Sequence, residues 1–387
     1  MNISTIKENT CSGCSGCMAI CPKKAIKMIA NDKGFLVPFV NKDLCIDCGL
    51  CIKLCNDKIN YRKEPIAAYG FQHASDDVKK KSSSGGASRA LIEQIVAVGG
   101  VVYGVSYTTD FEVVISRAQT LKECDAFYGS KYVSVNPQDS FEKVYDDLRS
   151  DRKVLFICTS CYIAGLLSYL KLKKCPTNHL ITVDIICHGV PSPQIFKEYI
   201  EFINKKKNLK AVNFRSKKLP WKYGTYSCLL VRKNGREEFN TLRARLFFNL
   251  FCSSACLREC CYNCSYASEG RSGDITISDF WGIEKKHPEF YSEKGVSAMI
   301  VNSSKGEELL KKITGCSILQ TKPEYVLAHN LNKPTKKSAY EQDFWNTYFE
   351  KGFKAIARKY GDYSVRGYIR KSWIHDIWVK IRYGKKV

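Results

Sequence analysis

Residues 11–22 read Cys11-Ser12-Gly13-Cys14-Ser15-Gly16-Cys17-Met18-Ala19-Ile20-Cys21-Pro22, and Cys45, Cys48, Cys51 and Cys55 repeat the C-x2-C-x2-C-x3-C spacing. Three thiolates on one tight loop cap a face of a cubane, and the fourth arrives from outside that loop. Zinc is more often held by two separated CxxC pairs than by four cysteines in one run. A disulfide framework needs an oxidising compartment. The run occurs twice in register, so it predicts two 4Fe–4S clusters.

This is the spacing of bacterial ferredoxins, in which the fourth Cys of each run serves the other cluster. One cluster is therefore expected on Cys11, Cys14, Cys17 and Cys55, and the second on Cys45, Cys48, Cys51 and Cys21. Such clusters pass one electron at a time. Between the runs, 25–28 and 35–40 are expected as short strands around the turn Asn31-Asp32-Lys33-Gly34. So small a segment cannot bury a proper core, so its clusters are expected to hold it together.

The chain has 387 residues, enough beyond the cysteine-rich start for one large α/β domain or two smaller ones. No apolar stretch reaches the ~18 residues of a membrane span, and Lys7, Glu8 and Cys11 interrupt any secretory leader. Twenty cysteines in an unexported chain point to a reducing cytoplasm and to metal. The net charge of +23 suits an anionic partner, whether nucleic acid, membrane surface, acidic protein or acidic cofactor. No zinc-finger, RNA-recognition or helix-turn-helix signature accompanies it, so nucleic acid is not expected. Residues 331–387 carry 14 Lys and Arg against 5 Asp and Glu, a net of +9. They interleave Trp345, Tyr348, Phe349, Phe353, Tyr360, Trp373 and Trp378, with Ile374, Ile377, Trp378 and Ile381 at helical spacing. This basic aromatic tail could lie on an acidic lipid surface as a peripheral contact, or pack on its own domain or a partner subunit.

Residues 57–70 read as a linker. A helix is expected over 87–98, strands over 101–106 and 113–118, and a helix over 141–148. The apolar run Val154-Leu155-Phe156-Ile157 is typical of a buried parallel strand. It ends in Cys158-Thr159-Ser160-Cys161, followed by a helix over 163–170. The unit recurs: a strand over 181–186 ends at Cys187-His188-Gly189 and a helix follows over 195–205. Asn234-Gly235 marks a hairpin. Strands over 274–278 and 296–301 and a helix over 307–313 close an α/β part with a mainly parallel or mixed sheet.

Ligands in such sheets bind beyond the strands' carboxyl ends, where Cys161 and Cys187 sit. Cys261-x-x-Cys264 is a metal-ligand pair by spacing. The four thiols could converge on a third cluster. Alternatively Cys261 and Cys264 hold zinc while Cys158, Cys161 and Cys187 are small buried hydrophobes. The loop Ser82-Ser83-Ser84-Gly85-Gly86 before a helix suits a phosphate or flavin edge, or is a flexible linker. The chain has neither a G-x-G-x-x-G fingerprint nor a Walker lysine.

Several stretches occur in the order found in one family: Ser82-Ser83-Ser84-Gly85-Gly86, Gly129-Ser130-Lys131-Tyr132, Thr159 to Leu166, Ile186 to Ser192, Phe214-Arg215, Cys261-Tyr262-Asn263-Cys264, and Gly273-Asp274-Ile275-Thr276-Ile277-Ser278-Asp279-Phe280-Trp281-Gly282. The chain resembles the coenzyme F420 hydrogenase/dehydrogenase beta-subunit family in its bacterial form, with an N-terminal two-cluster ferredoxin domain. The resemblance runs from residue 1 to about 320.

It implies an α+β ferredoxin-like two-cluster domain at 1–62, then an α/β flavin-binding domain whose two parts are 63–150 and 151–330, then the tail 331–387. It also implies FAD lined by Ser83, Ser84, Gly85, Gly86 and Lys131, and a third 4Fe–4S cluster on Cys161, Cys187, Cys261 and Cys264. Two stretches depart from the family pattern. Cys158-Thr159-Ser160-Cys161-Tyr162 stands for the usual Gly-Thr-Pro-Cys-Gln, and Glu259-Cys260 for the usual Pro-Ser, which adds the thiols Cys158 and Cys260.

The expected activity is that of an oxidoreductase moving electrons between clusters and FAD, with hydride passed to or from coenzyme F420 or another small-molecule substrate. Bacterial relatives resemble proteins of surface-polysaccharide pathways, so a sugar-linked substrate fits as well. His188 and Lys131 are candidates for supplying a proton or steadying an anionic flavin, and His188 equally suits a structural role at its turn. The expected partner is a redox protein, a ferredoxin or a partner subunit. The alternative is an electron-transfer subunit whose catalytic site lies on another chain.

Overall fold

The computed structural model describes residues 1–222, 227–326 and 329–363. The cysteine-rich start forms an antiparallel hairpin of β1 (Ile26–Ala30) and β2 (Leu36–Val40), with Ile26 opposite Val40. Its turn closes as expected: Gly34 N donates to Asn31 O at 2.7 Å, and Phe35 N to Asn31 Oδ1 at 2.9 Å. Gly34 has φ +80°, and a Cβ there would stand 2.4 Å from Gln194 Cβ. Glycine is required both by the conformation and by the close approach of the helix Pro193–Ile203.

The hairpin and the helix Leu50–Asp57 do not rely on a core of their own. Ile26, Phe35, Leu54, Cys14 and Cys17 share one buried cluster with Phe141, Phe156, Tyr162 and Tyr169. Ser168 Oγ, on the helix Ser160–Leu172, donates to Leu54 O at 2.9 Å.

The remaining strands are β3 (Ala67–Gln72), β4 (Val101–Tyr107), β5 (Val113–Ala118), β6 (Val154–Thr159), β7 (Leu180–Ile185), β8 (Leu209–Asn213), β9 (Leu229–Arg232), β10 (Glu237–Phe239), β11 (Ile275–Asp279), β12 (Ser297–Val301) and β13 (Ser317–Thr321). Eight form one mixed sheet in the order β13-β3-β12-β11-β7-β6-β4-β5. β4, β6, β7 and β11 pair in parallel, while β12 runs antiparallel to both β11 and β3. Five strands (β3, β4, β6, β7 and β11) therefore end on one edge. β8, β9 and β10 form a separate antiparallel sheet around the Asn234-Gly235 turn.

The linker expected over 57–70 is corrected by β3, which pairs with both β12 and β13. Ala67, Ala68 and Gly70 made no apolar run. The small residues serve packing, since a Cβ at Gly70 would lie 3.2 Å from the Phe290 ring.

Within 331–363, the helices Glu341–Lys351 and Phe353–Lys359 pack on the body through Phe344, Trp345, Phe353 and Ile356. They also hold the hairpin: Lys33 Nζ lies 2.9 Å from Glu341 Oε1 and 5.0 Å from the Trp345 ring centroid. The amphipathic stretch with Trp373, Ile374, Ile377, Trp378 and Ile381 lies outside the described residues. Among the described residues no helix is long and apolar enough to cross a membrane.

Candidate functional site

The two N-terminal cysteine runs fold into two rings of thiols. Cys11, Cys14, Cys17 and Cys55 line a cavity of about 200 Å³ together with Leu54 and Lys58. Cys21, Cys45, Cys48 and Cys51 line a second, smaller one. The fourth cysteine of each run thus faces the first three of the other. Among the described residues no three Cys, His, Asp or Glu side chains close on a point as ligands of a single ion do.

The surroundings of the first ring fit an anionic cluster. Lys58 is buried, with its Nζ 3.7 Å from Cys14 Sγ. Burial alone would lower the Lys58 pKa, but the Cys14 and Cys55 thiolates raise it well above its ordinary value. Arg258 Nη2 lies 3.7 Å from Cys11 Sγ. Burial, reinforced by Cys14, Cys11 and Cys55, pushes the Cys17 thiol up, so thiolate there needs a positive partner such as iron.

A second group of thiols gathers at the sheet edge. Cys161 opens the helix after β6, and Cys187 follows β7. The segment after Cys187 is held by Arg258 N donating to Val190 O and Ser192 N to Cys256 O, both at 2.9 Å. This brings the turn Glu259–Asn263, with Cys260 and Cys261, against it. Arg271 fixes the next loop: its Nη2 donates to Ile185 O at 3.0 Å, its Nη1 to Tyr266 O at 2.5 Å, and its Nε lies 3.2 Å from Asp184.

Burial drives the Cys161 thiol up, followed by the charges of Cys264, Cys260 and Cys187. Burial also lifts Cys187 to about 11. A hydrogen bond from Cys261 brings Cys260 down to about 7 against its burial, helped by the Arg258 charge. Cys260 therefore stands within electrostatic reach of Cys161, Cys187, Cys261 and Cys264, a fifth thiol beside the four expected. Cys158 lies inside the core, 2% exposed, with burial lifting it to about 12.

The small-residue loop lies along the same edge. Ser83 Oγ and Ser130 Oγ are 2.9 Å apart, Ser84 Oγ donates to Val296 O at 2.7 Å, and Gly85 N donates to Ser297 Oγ at 2.9 Å. A Cβ at Gly85 would stand 2.3 Å from Phe71 O, so only glycine fits. Arg215, 6% exposed, joins four stretches of the chain. It forks onto both Asp279 oxygens at 2.9 Å and donates to Tyr132 OH at 3.2 Å and Ser83 O at 3.3 Å. Asp279 Oδ1 also accepts from Trp221 Nε1 at 2.7 Å. The Trp221 and Trp281 rings stack at 4.8 Å and 1°, with the Arg215 guanidinium 5.5 Å from the half-exposed Trp281. Lys217 Nζ donates to Ser84 O at 3.1 Å, and burial pulls its pKa down to about 7.

His188 and Lys131 are both engaged locally. The His188 ring meets Ser254 Oγ at 2.9 Å through Nε2 and Thr335 Oγ1 at 3.2 Å through Nδ1. Lys131 Nζ donates to Ala126 O and Tyr128 O at 2.8 Å each, and burial draws its pKa down to about 7. A folded-state pKa below the ordinary 10.5 means the folded chain binds fewer protons than the unfolded one between those values. Stability should therefore rise as pH climbs from about 7 to about 10. Lys131→Met is expected to flatten that rise relative to wild type, read as thermal midpoints across the window.

Lys58, Arg258, Arg271 and Lys217 carry no local spacing that marks them in the sequence. Only the fold brings them to the thiols and the serine loop.

Residues 151–325 match the family model for the C-terminal part of the coenzyme F420 hydrogenase/dehydrogenase beta chain, and residues 10–59 match that of a 4Fe–4S dicluster domain. A chain in a xenon-derivatised structure of the F420-reducing NiFe hydrogenase complex from Methanosarcina barkeri aligns with TM-score 0.47 and 15% identity, covering 77% of this chain and 92% of that one. An iron-sulfur subunit of the CoB–CoM heterodisulfide reductase from Methanocaldococcus jannaschii is 34% identical over 104 residues, 21% of this chain and 16% of its own length. An uncharacterized polyferredoxin-like protein of the same organism is 36% identical over 62 residues, 13% of this chain and 35% of its own. This chain thus spans only a minor part of either curated relative. Residues 151–325 thus carry the C-terminal part characteristic of the coenzyme F420 hydrogenase/dehydrogenase beta chain, and residues 10–59, with their paired thiol rings, a 4Fe–4S dicluster domain: the chain is an iron–sulfur electron-transfer protein related to that beta subunit.

Proposed function

We propose that this chain is a cytoplasmic iron–sulfur flavoprotein oxidoreductase. In this reading Cys161, Cys187 and Cys264, with Cys261 or its neighbour Cys260, hold a third 4Fe–4S cluster. Ser83, Ser84, Gly85, Gly86 and Lys131 border FAD. When bound, FAD collects electrons singly and exchanges them in pairs as hydride with coenzyme F420 or another organic substrate, a sugar-linked one included.

The observation that carries this reading is a shared edge. The thiols, the serine loop, Arg215 and the half-exposed Trp281 all lie beyond the carboxyl ends of strands in one sheet, where α/β folds bind ligands. The chain's own groups have clear tasks there. Arg215 fixes the Ser83 carbonyl and Asp279 with a fork that lysine could not reproduce. Trp281 offers a planar apolar face to a flat ring. Lys217, poised near neutrality, can carry or release a proton beside Ser84. His188 and Lys131 hold their loops through the contacts described above, and Lys131 with a pKa near neutrality can also exchange a proton.

Anaerobic purification with iron, sulfide and flavin counted per chain tests the proposal. About twelve irons and one FAD support it, and about eight irons without flavin reduce the chain to a ferredoxin.

A second reading, in which the catalytic site lies on a partner subunit, is favoured by the apolar rim of the second thiol ring. Ile46, on the lining of that ring, is 58% exposed, as a docking face for a redox protein would be. A partner co-purifying at fixed stoichiometry, with no turnover by the chain alone, would establish it.

A further inference from the structure

The two N-terminal thiol rings differ in the charges packed around them. The ring of Cys11, Cys14, Cys17 and Cys55 is flanked by two cations almost out of solvent, Lys58 at 8% and Arg258 at 3% exposure. Lys58 Nζ lies 3.7 Å from Cys14 Sγ and 3.4 Å from Ser12 Oγ. Arg258 Nε donates to Cys11 O at 2.7 Å, and Nη2 donates to Leu36 O at 2.6 Å while reaching the Cys11 sulfur. Its Nη1 is buried without a protein partner. It lies 2.8 Å from where a Cβ of Gly13 would stand, so the ligand loop needs glycine to admit the guanidinium. No carboxylate is among the described residues lining this cavity.

The ring of Cys21, Cys45, Cys48 and Cys51 is lined instead by Lys23 and Asp47, opposite charges both open to water. Cys48 is itself exposed.

We propose that Lys58 and Arg258 make the Cys11/Cys14/Cys17/Cys55 site the electron sink of the pair, filled from the Cys21/Cys45/Cys48/Cys51 site. The inference rests on both rings holding 4Fe–4S clusters. Reduction adds one negative charge to a cluster. A cation in contact with its sulfurs and shielded from water stabilises that added charge, which raises the potential. Burial alone opposes reduction, but the same exclusion of water strengthens two cations at contact distance. At the exposed ring, Lys23, Asp47 and the Met1 ammonium 3.4 Å from Asp47 all stand open to water and are screened.

One electron leaves the exposed cluster, which is oxidised by one, and enters the buried cluster, which is reduced by one. No proton or group moves. The electron is resupplied by a low-potential one-electron donor protein.

The buried ring is also the one next to the sheet-edge thiols. A Cβ at Gly165 would lie 2.7 Å from Cys14 Sγ, and Gly165 is one turn along its helix from Cys161. Tyr266 OH donates to the Lys58 carbonyl at 3.2 Å, two residues after Cys264.

EPR-monitored redox titration of the anaerobically purified full chain tests this. Wild type should show one midpoint for each of these two clusters, in addition to that of the proposed third cluster. Lys58→Met should lower the higher of the two by at least the 59 mV that a tenfold one-electron change represents, leave the lower in place, and be largely restored in Lys58→Arg. Asp47→Asn should raise only the lower midpoint. An unmoved higher midpoint in Lys58→Met, or a shift of the lower one instead, overturns the proposal. If Lys58→Met loses its iron, Asp47→Asn decides, and movement of the higher midpoint counts against the proposal. Wild-type iron below about eight per chain would instead overturn the cluster reading itself, so the two failures are distinguishable.

Discussion

Cys55→Ser is expected to empty one cluster site while sparing the cluster served by the rest of its own run. The structure places Cys55 on the cavity of Cys11, Cys14 and Cys17, and Cys21 on that of Cys45, Cys48 and Cys51. Serine is a poor iron ligand, and a cubane short of one thiolate is readily lost on purification. Cys55→Ser should therefore cost about four irons per chain and remove the EPR signal sensitive to Lys58. Cys21→Ser should cost as much and remove the other.

The effect on stability should be unequal as well. Cys14 and Cys17 sit in the main buried cluster with Phe141 and Tyr162, so an empty cavity there loosens packing shared with the large sheet. The ring around the exposed Cys48 borders less of it. The Cys55 variant should melt lower than the Cys21 variant. Retention of the Lys58-sensitive signal in Cys55→Ser would show each run binding its own cluster and refute the crossed arrangement.

Why some of this was legible in the sequence and some was not follows from how each feature is encoded. The cluster ligands were legible because their geometry is local: fixed spacing on a tight loop places three sulfurs whatever lies around them. β6 was legible because a strand buried on both faces reads as an unbroken apolar run, Val154 to Ile157, and β7 because Leu180, Ile181, Val183 and Ile185 keep it mostly apolar. β3 was not, because Ala67, Ala68 and Gly70 are chosen for the rings that pack on them rather than for hydrophobicity. β13 lies at the sheet edge with half-exposed side chains, so no periodicity marked it.

The same contrast governs the site. Cys161 and Cys187 stood out because each ends an apolar strand, whereas Cys260 and Cys261 are neighbours in sequence and only the fold shows Cys260 facing Cys161, Cys187 and Cys264. Lys58 and Arg258 are set by tertiary contact alone, three residues after one ligand and two before another thiol, in no recurring pattern. Asp274, in the run Gly273 to Gly282, is a staple rather than a catalyst. It is 1% exposed and accepts from Thr182 N and Oγ1 at 2.8 Å and from Lys63 at 2.8 Å, tying β7 to the segment that leaves the cysteine-rich start.

Arg215→Met is expected to be among the most destabilising single changes on the sheet edge. The guanidinium is 5% exposed and forks onto Asp279, itself 16% exposed. Removing it leaves a largely buried carboxylate with the Trp221 N–H as its remaining strong donor. Breaking a buried pair from one side costs about 3–5 kcal/mol, because the surviving charge stays desolvated. The same change releases Tyr132 OH and the Ser83 carbonyl, so the loops of residues 82–86 and 129–132 lose their common anchor.

Chemical denaturation under anaerobic conditions reads the loss. Arg215→Met/Asp279→Leu should recover most of it, since the double change removes the stranded charge along with its partner. Arg215→Lys separates stability from function. An ammonium keeps the charge but cannot grip both carboxylate oxygens and the Ser83 carbonyl in one plane. It should retain much of the stability while, on the proposed flavoprotein reading, binding FAD more weakly. A single Arg215→Met variant as stable as wild type would mean that Asp279 is solvated in solution and that this arginine does not organise the edge.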